Sequence, residues 1–89
     1  MSTVLIIEDN EKNMKLARDV LQAKGYQTLE AVTGEEGVKL AREKKPDLVL
    51  MDIQLPGING IEAFKQIRGY AATKAIPVIA LTASVTPTD

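Results

Sequence analysis

The sequence predicts an α/β domain with a parallel sheet, and two observations carry the prediction. Four short apolar runs, Val4–Ile7, Thr28–Val32, Leu48–Met51 and Val78–Leu81, recur along the chain with helical patterns between them, an alternation that builds a parallel sheet with helices on its faces. Three of the runs lack polar alternation, as strands covered on both faces do.

The elements follow in order. After the first run, Met14, Ala17, Val20 and Leu21 are assigned to one helical face, and Gly25 follows Lys24 where a left-handed cap belongs. The second helix opens at Thr33, with Glu36 three positions on as the partner of a capping box, and Pro46 stops it beyond Lys44 and Lys45. In the third, Ile61, Phe64 and Ile67 are placed on one face, and the pattern fades at Gly69. Right-handed crossovers fix the winding. No internal repeat, low-complexity stretch or linker divides the chain.

Composition narrows the chemistry. A chain of 89 residues buries only about 60–65% of its unfolded surface, so its stability margin is thin. An apolar fraction of 45% and a charged fraction of 26% are ordinary for a folded domain. A net charge of −1, with no aromatics interleaved among basic residues, argues against nucleic-acid binding. The absence of cysteine and histidine removes disulfides, thiolate chemistry, imidazole metal sites and Ser-His relays, leaving carboxylates, hydroxyls and amines as reactive groups. No apolar run is long enough to span a bilayer, and no secretory leader pattern opens the sequence. Neither membrane association nor export is expected, and the cytoplasm is the expected location.

The acids supply the functional signal. Glu8 and Asp9 follow the first apolar run directly, and Asp52 follows the third. Ligands of open parallel sheets bind outside the carboxyl ends of the strands, so adjacent strands would deliver three carboxylates to one spot. An acid at a strand end is ordinarily a solvated loop residue or a cap, but three converging at two strand ends are not. Unneutralised, they repel one another. A hard cation with oxygen ligands relieves this, and Mg²⁺ suits a site of few carboxylates that accepts phosphate oxygens. A carboxylate can also attack a phosphoryl group and hold it as an acyl phosphate. Thr82, closing the fourth run, is a candidate hydroxyl on the same rim, although a threonine there is more often a turn former.

Three segments together resemble the receiver domain of two-component response regulators: Val4-Leu5-Ile6-Ile7-Glu8-Asp9-Asn10, Asp47-Leu48-Val49-Leu50-Met51-Asp52-Ile53-Gln54-Leu55-Pro56-Gly57-Ile58-Asn59-Gly60, and Ile76-Pro77-Val78-Ile79-Ala80-Leu81-Thr82-Ala83. The pattern is most similar to single-domain regulators of the cell-division type and to receivers of hybrid histidine kinases, which follow the Asp-Asn pair with another Asn, here Asn10 and Asn13. The resemblance implies a flavodoxin-like, doubly wound sheet of strand order 2-1-3-4. It implies that Asp52 accepts a phosphoryl group from a partner kinase or phosphotransfer protein. Mg²⁺ would be held by Glu8, Asp9, Asp52 and the Gln54 main-chain carbonyl. Thr82 would be the switch hydroxyl, Gln54 and Ser84 would tune the phosphoryl lifetime, and Asn13, Met14 and Ala17 would lie near the docking face. Such a domain is a self-phosphorylating switch, with at most weak autophosphatase activity.

Receivers ordinarily continue through a fourth helix, a fifth strand ending in lysine and proline, and a fifth helix. The sequence stops after the fourth strand, so one receiver over residues 1–89 is expected, incomplete at its C-terminus and cut to βαβαβαβ. No lysine follows Lys74, and Thr86, Pro87 and Asp89 resemble the start of a further helix. Impaired phosphorylation is expected, as is self-association through the bare edge of Val78–Leu81 or by exchange of an element. The alternative is an interaction or assembly module with a vestigial acidic pocket. An aspartyl phosphatase is disfavoured because Gln54 stands where its second Asp belongs, and flavin binding because the first turn is acidic where a phosphate cradle wants glycines.

Overall fold

A computed structural model describes residues 2–52, 60–71 and 73–81. Seven elements alternate along the chain: β1 (Thr3–Ile7), α1 (Glu11–Ala23), β2 (Gln27–Ala31), α2 (Gly34–Lys44), β3 (Leu48–Asp52), α3 (Gly60–Gly69) and β4 (Val78–Leu81). The strands form one parallel sheet in the order β2-β1-β3-β4, as predicted and as in flavodoxin-like folds. The first crossover leads from β1 out to β2, and the second leads back past β1 to β3. Equal handedness therefore puts α1 on one face and α2 with α3 on the other.

Strand side chains alternate between these faces. Val4 and Ile6 pack with Met14, Ala17, Leu21, Leu48 and Leu50 under α1. Leu5, Ile7, Val49 and Met51 pack with Val38, Ala41, Ala63, Ile67 and Ile76 under α2 and α3. Each fully buried aliphatic contributes about 1.5–3 kcal/mol. Two apolar layers around one sheet explain why the runs of β1 and β3 are unbroken.

Local chemistry sets the helix limits. Asn10 caps α1, its side chain accepting from Asn13 N at 3.0 Å, and Gly25, with φ 91°, turns the chain out of the helix where a side chain would be strained. Thr33 Oγ1 accepts from Glu36 N at 3.1 Å. The returning bond differs from a strict capping box, because Glu36 Oε1 accepts from Val32 N, also at 3.1 Å. Lys45 closes α2 in the left-handed region at φ 49°, and buried Pro46 follows.

Helix faces depart from expectation in three residues. Val20 is 52% exposed, since it lies about 120° around α1 from Met14 at 3.6 residues per turn. In α3 the buried stripe is Ala63 and Ile67, four apart, while Ile61 and Phe64 are exposed. The Arg68 guanidinium covers the Phe64 ring at 5.2 Å. β2 runs one residue earlier than expected because Gln27 pairs with Thr3, and Val32 lies beyond it, exposed.

At Gly37 α2 lies close against β1, and a Cβ there would overlap the Ile7 side chain. Overpacking costs about 1–3 kcal/mol, against about 1 kcal/mol gained in helix propensity. Gly37→Ala is therefore expected to lower stability by about 1 kcal/mol and the melting temperature by about 4–8 °C. Thermal unfolding checks this, and an unchanged or raised midpoint would mean that Ile7 rotates away freely.

Candidate functional site

The winding reverses between β1 and β3, which opens a crevice at their carboxyl ends. Ile7 is in register with Met51, so the next residues, Glu8 and Asp52, emerge side by side. Asp52 is the last residue of β3 rather than the first beyond it, because β4 extends the ladder to an Asp52–Leu81 pair. One carboxylate oxygen from each of Glu8, Asp9 and Asp52 lies within 4.8 Å of the others. Glu8 and Asp52 are buried, at 4% and 8% exposure, and Asp9 opens to solvent.

Backbone contacts fix the cluster. Glu8 N donates to Ala31 O at 2.9 Å, which ties the rim to β2. Glu8 Oε2 accepts from Asn10 N at 3.0 Å, so the residue that caps α1 also orients the buried acid. Burial pushes the Glu8 carboxyl above the ordinary glutamate range, the Asn10 bond opposes this, and the neighbouring Asp52 and Asp9 add to the rise. A shallow groove between α1 and β2 adjoins Glu8 and Asp9. Of the cations lining it, Lys15 pairs with Asp19 at 2.7 Å and Arg18 with Glu30 at 3.0 Å.

The donor set fits a hard divalent cation. All three donors are carboxylate oxygens, two of them buried beside one another at a charge cost that a cation would offset. Opposite ligands of an octahedral Mg²⁺ lie about 4.2 Å apart, close to the 4.8 Å limit of the cluster. Gln54, Thr82 and Ser84 lie outside the described residues. Lys74 is described, exposed, and precedes β4 at the sheet's opposite end. The orienting role of Asn10 was missed from sequence. The donor is a backbone N–H that any residue but proline would supply, so no side-chain signal marked it.

No helix among the described residues is long and apolar enough to cross a membrane. The family model for the response regulator receiver domain matches residues 4–89. The polar-differentiation response regulator DivK of Brucella anthropi is 52% identical over 81 residues, covering 91% of this chain. The chain spans 66% of that relative's length. The receiver domain of sensor histidine kinase PA1611 from Pseudomonas aeruginosa, solved with a magnesium ion coordinated in its active-site cleft, is similar at TM-score 0.90 and 32% identity. That match covers 99% of this chain and 72% of the other. The chemotaxis response regulator CheY4 of Vibrio cholerae is similar at TM-score 0.90 and 28% identity, over 98% of this chain and 72% of its own. With the 2-1-3-4 sheet and the three acids at its switch point, the match over nearly its whole length places this chain in the response regulator receiver family.

Proposed function

We propose that the chain is the phosphoacceptor of a two-component relay, taking a phosphoryl group onto Asp52 from the phosphohistidine of a kinase or phosphotransfer protein. The supporting observation is the convergence of Glu8, Asp9 and Asp52 within 4.8 Å at the position where open parallel sheets bind ligands. An Asp52 carboxylate oxygen attacks phosphorus, the P–N bond to the donor imidazole breaks, and the bonding pair leaves with that nitrogen. Glu8, Asp9, Asp52 and the Gln54 carbonyl would hold Mg²⁺, which when bound neutralises charge on the transferring oxygens. Asn10 N–H keeps Glu8 aimed at the site, and Thr82 would donate to a phosphoryl oxygen. The product is a signal state rather than a released product, in keeping with a cytoplasmic switch. Incubation with acetyl phosphate and Mg²⁺, followed by intact-mass and peptide mass spectrometry, is expected to show one added phosphoryl group, at Asp52. Its persistence in Asp52→Ala would overturn the assignment.

A second reading, self-association through β4, rests on a separate observation. Among the described residues β4 pairs only with β3, and Ile79 on it is 48% exposed, a combination that recruits further chains. Sedimentation over a concentration series is expected to show a dimer that Ile79→Lys dissociates. A monomer at every concentration would exclude it.

A further inference from the structure

We draw no further inference here: the strongest candidate, the outward strip of α3 formed by Ile61 and Phe64 with Arg68 stacked on the latter ring, is an unpartnered apolar face, and nothing in the structure shows what covers it.

Discussion

Asp9→Ala is expected to weaken Mg²⁺ binding at least about tenfold, whereas Asn13→Ala should leave it within about twofold. Loss of an outer partner of a metal ligand already costs roughly 10–100-fold in affinity, and a charged ligand in direct contact costs no less. Asp9 is the exposed member of the cluster, so its removal takes one negative charge from the ion and leaves no buried cavity. The Asn13 contribution to the rim is its backbone N–H, which donates to Asn10 Oδ1 and survives truncation of the side chain. Titration calorimetry of both variants, with circular dichroism to establish folding, separates the cases. Equal affinities would sink the assignment of Asp9 as a ligand, and a matching loss in Asn13→Ala would point to damage at the start of α1. A slower phosphoryl uptake should accompany the Asp9→Ala loss, because the charge on the transferring oxygens is then less well neutralised.

The parts of the molecule that the sequence exposed are those whose surroundings are uniform. β1 and β3 are covered on both faces, so their apolar runs are unbroken and the acids that end them, Glu8 and Asp52, stand out. The helix faces were harder, because a helix with several apolar stripes does not announce which one the sheet takes. In α3, Ala63 is wholly buried while the larger Phe64 is 39% exposed. Proximity to the sheet favours the small residue, and a neighbouring guanidinium can shelter the ring. Thr73 was invisible for another reason. It reads as a turn residue, yet it is fully buried with its hydroxyl donating to Ile67 O near the end of α3, a role that depends on where the chain returns after the helix. The stacking of Arg42 on Tyr70, 4.1 Å from the ring centroid, joins α2 to the end of α3 and was equally beyond periodicity.

Asp52→Asn is expected to raise the metal-free melting temperature by about 4–16 °C, through a gain of about 1–2 kcal/mol at about 4–8 °C per kcal/mol. Two like charges at the 4.8 Å limit of the cluster repel by about 3.5 kcal/mol at an effective dielectric constant of about 20. Part of that is already relieved, because burial, with the neighbouring Asp52 and Asp9 adding to it, raises the Glu8 pKa and favours its neutral form. Asparagine at this position removes one of the two charges and carries an amide that can donate to ionised Glu8. The pH dependence follows from the raised Glu8 pKa. The folded chain holds a proton that the unfolded chain releases, so the metal-free parent loses stability as pH rises from the ordinary glutamate range through the raised value. The variant's advantage should therefore be full at neutral pH and disappear in acid. Mg²⁺ should reverse the order, since a ligand at a hundred times its dissociation constant stabilises the folded state by about 2.7 kcal/mol, and the variant, short of one ligand charge, gains less. Thermal unfolding of both proteins at neutral and acidic pH, with and without Mg²⁺, gives the four comparisons. Identical midpoints at neutral pH without metal would show that the two buried carboxyls do not burden the fold, and the electrostatic case for a cation between them would fall.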